Sequence, residues 1–351
     1  MASDAPDEAD RARLEEIQAL RVRFGEQLLL LAHHYQRPEV AALSDRLGDS
    51  YELARHAREA ARARFILFCG VRFMAEAAEV LRRDGQVVIH PAPESGCPLA
   101  DYASAGSVAE ALAALEAVRG RDGVMPLVYM NSSAELKALV GRRGGAVCTS
   151  STAPRAFGWA LAARGALLFL PDEHLGRNTA RGLGLTGADV ALWDPDSPGG
   201  GLAEERLARA RVLLWKGHCH VHTAFTVEDV AYTRARLPGA RILVHPECPE
   251  PVVLAVDGAG STAFLVREAR AAAPGSTLVI GTEVNLVSRL ARELPDRTIL
   301  PLRRSLCGNM FKVSLARVLD ALRALPDAEP VRLPEEVRRD ARAALDRMLE
   351  L

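Results

Sequence analysis

At 351 residues, 49% hydrophobic and 25% charged, the chain can bury a sizeable core and has the composition of a globular protein. Its net charge of -1 gives no reason to expect a nucleic-acid or anionic-membrane partner, and no apolar run reaches membrane-spanning length. The acidic start Met1-Ala-Ser-Asp-Ala-Pro-Asp-Glu8 lacks the basic and apolar regions of a signal peptide, so a cytoplasmic protein is expected.

The periodicity of Leu14, Ile17, Leu20 and Phe24 predicts a helix over 9–24. The apolar run 27–32 reads as a buried parallel strand ending in His33-His34-Tyr35-Gln36. A helical segment leads to Gly48-Asp49-Ser50, and a helix near 51–62 leads into the strand Phe65 to Gly70. A helix near 73–83 and the strand Gln86 to His90 follow, and the loop 91–96 then delivers Cys97.

The pattern restarts with a helix near 107–118 and a strand 126–129 ending in Met130-Asn131. A short helix carries Lys137, and a strand ends at Cys148 before Thr149-Ser150-Ser151. After another helix, the strand 166–170 ends in Pro171 to Asn178. The Gly- and Asp-rich stretch 182–201 reads as an inserted loop, and the strand Val212 to Trp215 leads to Cys219.

A third round has a helix near 226–236, then a strand 241–245 running into Pro246-Glu247-Cys248. Gly260-Ser261-Thr262 opens a helix, and the strand 277–280 ends in Gly281-Thr282-Glu283. The strand 298–300 leads to Cys307, a helix runs from Lys312 to about 325, and 334–350 reads as a charged surface helix.

Alternating strands and helices predict an α/β fold with short parallel sheets. Polar residues gather after each strand, the edge where such sheets bind ligands. One cysteine closes each round: Cys97, Cys219 and Cys307. We therefore expect three similar three-layer α/β/α domains, 1–107, 108–225 and 226–351, each offering one thiolate to a shared centre. Three thiolates suit an iron–sulfur cluster, because both partners are soft. None of the six cysteines is in a CxxC pair, and disulfides are not expected in a reducing compartment.

Two further themes emerge. Ser150 and Thr262 stand where helix starts could bind anions or merely be capped. Tyr35, Tyr129, His33, His245 and Glu247 stand at or past strand ends, where acid–base groups are useful. Arginine outnumbers lysine 41 to 3 and there are four asparagines, so the rare Lys and Asn residues, nearly all close to these strand ends, read as positions where nothing else works.

Ala32 to Gln36, Gly48-Asp49-Ser50, Gly70 to Glu76, Gly96 to Asp101, Tyr129 to Lys137 and Cys148 to Ser151 resemble the quinolinate synthase family. So do Leu170 to Thr179, Trp215 to His222, His245 to Cys248, Gly260 to Thr262, Gly281 to Glu283 and Cys307 to Lys312. The resemblance implies condensation of iminoaspartate (iminosuccinate) with dihydroxyacetone phosphate to quinolinate, with loss of phosphate and water, in NAD biosynthesis. It implies a 4Fe–4S cluster at the centre of three pseudo-symmetric domains, held by Cys97, Cys219 and Cys307, with Cys69, Cys148 and Cys248 as non-ligands. It implies substrate contacts from His33, Ser50, Tyr129, Asn131, Ser150, His245, Glu247, Ser261 and Thr262. Acid–base steps fall to Tyr35, Tyr129 and Glu247, and an aspartate oxidase or dehydrogenase would hand over the iminoaspartate. His34, Thr223 and Asn285 depart from the residues more usual in that family.

Two alternatives remain open at this stage. If the run 212–215 continued as a strand, His218, His220 and His222 would share one face and could bind zinc or a dinuclear centre in a hydrolase. The chain could also be an iron–sulfur sensor without turnover.

Overall fold

The structure, a computed structural model, describes residues 8–351; the acidic stretch 1–7 lies outside the described residues. The chain opens with α1 (Glu8–Phe24), β1 (Leu28–His33), α2 (Pro38–Ala41), β2 (Arg46–Gly48), α3 (Ser50–Glu59), β3 (Phe65–Cys69), α4 (Arg72–Leu81) and β4 (Val87–Ile89). It continues with α5 (Pro98–Asp101), α6 (Ala105–Arg119), β5 (Met125–Tyr129), α7 (Ala134–Arg142), β6 (Ala146–Cys148), α8 (Ala153–Arg164) and β7 (Leu167–Leu170). Next come α9 (Glu173–Gly182), β8 (Val190–Trp193), α10 (Glu204–Arg209), β9 (Val212–Trp215), α11 (Val227–Arg236), β10 (Arg241–Val244), α12 (Glu250–Ala255), β11 (Gly258–Ala259) and α13 (Thr262–Ala271). The last elements are β12 (Thr277–Gly281), α14 (Val284–Glu293), β13 (Thr298–Pro301), α15 (Leu315–Arg323) and α16 (Glu335–Glu350).

Among the described residues every strand pairing is parallel. The strands form three sheets, ordered β2-β1-β3-β4, β6-β5-β7-β9-β8 and β11-β10-β12-β13. The chain divides into two compact units. One holds the chain up to Gly96 together with Cys307–Leu333, and the other holds Cys97–Leu306 with Pro334–Leu351.

In the first unit the central strands are apolar on both faces. Leu28, Leu30, Ala32, Phe65 and Leu67 share a core with Ile17 of α1 and Val318, Leu319 and Leu322 of α15. Leu31, Ile66 and Phe68, at the alternate positions, are also buried. A strand covered on both sides needs a continuous apolar run rather than alternation, as the sequence has here. The sequence did not reveal β2, a three-residue edge strand whose burial rises from exposed Arg46 to buried Gly48.

In the second unit the stretch expected to be an inserted loop contains β8, which pairs with β9 at the sheet edge. Its burial alternates, Ala191 and Trp193 turning inward. Trp193 packs on Gly200, where an added Cβ would come within 2.4 Å of the indole. Four residues of alternation between glycine-rich turns leave a composition that reads as loop.

The last helix is charged on one side only. Ala341, Ala344, Leu345 and Met348 are buried, and α16 packs along α7. A Cβ on Gly141 would lie 2.0 Å from the Asp340 carbonyl oxygen. Backbone cannot yield as a flexible side chain can, so Gly141→Ala is expected to cost about 1–3 kcal/mol through overpacking. A lowered Tm by calorimetry checks this; an unchanged Tm would mean that α16 is not held this way.

Candidate active site

In a parallel sheet all carboxyl ends lie on one edge, so the loops after the strands converge. In the second unit these loops carry Tyr129 at the end of β5, Ser150 after β6, Asp172 after β7, Cys219 and His222 after β9, His245 and Glu247 after β10, and Thr282 after β12.

Glu247 lies at the centre of this group and is 2% exposed. Its Oε2 pairs with Nδ1 of His222 and lies 3.7 Å from Nδ1 of His245. Nε2 of His222 faces the Thr282 hydroxyl at 3.2 Å. The His222 and His245 rings stack with centroids 4.4 Å apart. His245 Nδ1 accepts from the Glu247 backbone N–H at 3.3 Å, and its Nε2 faces Ser150 Oγ at 3.2 Å. Burial pushes the Glu247 carboxyl up, but the electrostatic influence of the His222 and His245 rings and hydrogen bonds from His222 and Tyr129 outweigh it and hold the pKa at about 2.

Asp172 is the opposite case. Its Oδ1 accepts from Leu175 N–H at 2.7 Å, capping α9, while Oδ2 is buried without a hydrogen-bond partner. Burial first, and then the charge of Glu247, push this carboxyl well above the usual carboxylate range. The neighbourhood thus holds one carboxyl kept ionised and one pushed towards its neutral form.

The segment Trp215 to His222 corrects the strand-face expectation. β9 ends at Trp215, whose indole donates to the Tyr102 carbonyl at 2.8 Å. Gly217 then packs so closely that a Cβ would meet the Pro171 oxygen at 2.4 Å. The chain turns, with His222 N–H and Thr223 N–H both donating to the Cys219 carbonyl, at 3.1 and 3.0 Å. His218 and His220 are exposed and His222 is buried, so the three histidines do not share a face. His218 instead lies beside the Tyr102 ring. A different set could hold a metal ion: ligand atoms of Cys219, His222 and Glu247 all lie within 4.8 Å of one another. Burial first, then the charges of Glu247, Cys97 and Asp172, push the Cys219 thiol up.

Asn131 follows Tyr129 and is half-buried. The buried Lys137 ammonium donates to the carbonyls of Met130 and Ser132, at 2.8 and 2.5 Å, on either side of Asn131. Ser261 caps α13 by accepting from Phe264 N–H at 3.2 Å, and Thr262 is the first residue of that helix. In the first unit, His33 ends β1 and its ring meets Tyr35 edge-on, with centroids 4.7 Å apart. Tyr35 N–H donates to His33 Nδ1 at 3.1 Å. Ser50 opens α3 behind a capping box formed by Asp49 and Glu52.

Sequence reasoning missed Asp172 and Thr282, and it undervalued His222. One signal was present. Pro171-Asp172 follows β7 as Pro246-Glu247 follows β10, a matched proline–carboxylate pair at two strand ends.

Comparison with known proteins follows the same residues. Residues 15–350 match the family model described as quinolinate synthetase A protein. A protein of Nocardioides sp. named quinolinate synthase is 45% identical over 360 residues, covering 99% of this chain and 91% of its own. Proteins of that name from Acidobacterium capsulatum and Geobacillus kaustophilus are 45% and 43% identical, each covering 97% of this chain and 94% of its own.

Proposed function

We infer the roles of these residues from the fact that the chain belongs to the quinolinate synthetase A family and makes quinolinate for NAD biosynthesis. Its substrates are then iminoaspartate and dihydroxyacetone phosphate, joined with loss of phosphate and water. The observation that carries the chemistry is Glu247, a carboxylate held ionised out of water by His222 and hydrogen-bonded by Tyr129. Condensation needs a proton taken from the carbon beside a ketone, and a positioned carboxylate can take it. The low pKa keeps Glu247 ready at every working pH but makes it a modest base. Tyr129, bonded to it, is the partner that returns the proton during dehydration.

Cys97, Cys219 and Cys307 are the residues that would hold a 4Fe–4S cluster. The donor set fits, because these three are the half-buried cysteines, whereas Cys69, Cys148 and Cys248 are fully buried. Burial alone pushes Cys69 up to about 12 and raises Cys148 likewise; the Cys219 thiol is raised too, but beside Cys97 it stands where a bound cation would ionise it. Cys97 is close enough for its charge to act on Cys219, and thiolates so placed need a cation between them. When bound, the cluster supplies a Lewis acid at an iron without a protein ligand.

His33, Ser50, Asn131, Ser150, His245, Ser261 and Thr262 serve as substrate contacts on this reading, with Tyr35 assisting acid–base steps. The architecture is read as three pseudo-symmetric α/β/α domains, 1–107, 108–225 and 226–351. The strand order in the first and third sheets, matched in the second once β8 is set aside, supports that division. Among the described residues no helix is long and apolar enough to cross a membrane. Work in the cytoplasm, beside an aspartate oxidase or dehydrogenase that hands over the unstable imine, fits the chemistry.

Anaerobic purification tests the whole reading. Brown protein with about four irons and four sulfides per chain should form quinolinate from both substrates. Colourless protein with stoichiometric zinc, or cluster-replete protein without product, would reject it.

A further inference from the structure

We propose that Asn178 is a positioning residue that fixes the direction of Glu247, an inference resting on the proton-transfer role given to Glu247 above. The Asn178 Nδ2 donates to the Pro246 carbonyl at 2.8 Å and to the Cys248 carbonyl at 2.9 Å. Those carbonyls belong to the residues on either side of Glu247. One amide nitrogen has two N–H groups, enough for both acceptors. The Pro246 carbonyl lies in the peptide plane that leads into the Glu247 Cα and the Cys248 carbonyl in the plane one residue beyond the next, so the bridge clamps the chain on both sides of Glu247 and with it the direction in which its side chain leaves the loop.

The loop needs such a clamp. It lies outside regular structure, and its other backbone ties include His245 N–H to Gly281 O at 3.1 Å and Cys248 N–H to His245 O at 3.0 Å. Neither of these engages the Pro246 or Cys248 carbonyl. Asn178 itself sits on a rigid support. Two residues earlier, Gly176 lets α9 approach the sheet so closely that a Cβ would meet Leu214 at 2.4 Å and Phe169 at 2.6 Å. Asp172 caps the same helix. Aspartate has the size of asparagine but presents only acceptors to two acceptor carbonyls, and alanine presents nothing. In a chain with four asparagines, this one does a task for which Asp is no substitute.

Misplacing a reacting group by about 1 Å can cost around a hundredfold in rate. The experiment measures kcat, iron content and cluster absorbance for cluster-replete Asn178→Asp, Glu247→Gln and the double variant. Asn178→Asp is expected to lower kcat about tenfold or more, with iron and absorbance unchanged. In the Glu247→Gln background the same change should lower kcat no further, because the group being positioned is already inert. If the aspartate prevents folding, Asn178→Ala provides the same comparison. Wild-type turnover in the Asn178 variant would overturn the proposal. So would losses that multiply in the double variant, since a merely structural defect reduces the active fraction in either background. Wild-type turnover in Glu247→Gln alone would instead reject the role of Glu247.

Discussion

Cys219→Ser is expected to lose both the iron centre and quinolinate formation, whereas Cys148→Ser keeps cluster absorbance near wild type. The contrast follows from where the two thiols sit. Cys219 is half-buried in a turn, with its carbonyl held by His222 and Thr223 N–H groups, beside the charge of Cys97. A serine hydroxyl there is a hard, weakly acidic donor in place of a soft thiolate, and iron–sulfur centres depend on the soft one. Cys148 ends β6, is fully buried, and its thiol is pushed up by burial alone. Serine there buries a hydroxyl, at about 1–3 kcal/mol if it finds no partner, and that cost appears in Tm rather than in the visible spectrum. Visible absorbance, iron content and turnover on anaerobically prepared variants decide the matter. Loss of the cluster in Cys148→Ser with retention in Cys219→Ser would reverse the ligand assignment.

Strands buried on both faces were the most legible part of this chain, because continuous apolar runs such as Leu28 to Ala32 or Leu167 to Leu170, too short for a helix and bounded by helical periodicity, suit a strand covered on both sides. Among the edge strands β4, β6 and β13 were read, whereas β2 and β8 were not. β2 and β8 bury only part of their surface, and their few residues sit among turn-forming neighbours. In the site, residue type and strand-end position pointed to Tyr129, His245 and Glu247. Partnership could not be read, because His222 and Glu247 meet only once separate loops converge. The three histidines show why. Their spacing fits a strand face, but the strand ends at Trp215, Gly217 packs against the Pro171 oxygen, and a turn closed on the Cys219 carbonyl leaves His222 alone of the three buried, none of which is visible in sequence. Among the rare lysines and asparagines, Lys216 forms a surface ion pair with Asp194, while two others lie beside candidate site residues. Lys137 and Asn178 each hold the carbonyls flanking a site residue, Asn131 and Glu247 respectively.

Glu247→Gln is the sharpest test of the acid–base reading. The amide fits the same volume and can still accept a hydrogen bond, but it cannot take a proton. General-base catalysis contributes typically 10²- to 10⁴-fold, so turnover should fall by roughly a hundredfold or more while the iron content stays at the wild-type level. The pH behaviour adds an independent check. The carboxyl is held at about 2, below its ordinary 4.5, so the native state binds its proton less readily than the unfolded chain does. Its contribution to stability is therefore complete above the unfolded value of 4.5 and is lost as pH falls towards about 2. Glu247 consequently adds no acid limb to the kcat profile between about pH 5 and 8, where it stays ionised. Glu247→Gln should lower the whole profile without moving its limbs, and should blunt the acid dependence of unfolding measured below pH 5. A variant that keeps wild-type kcat would remove Glu247 from the proton-transfer steps. A variant whose profile merely shifts along the pH axis would assign Glu247 to tuning a neighbouring group instead.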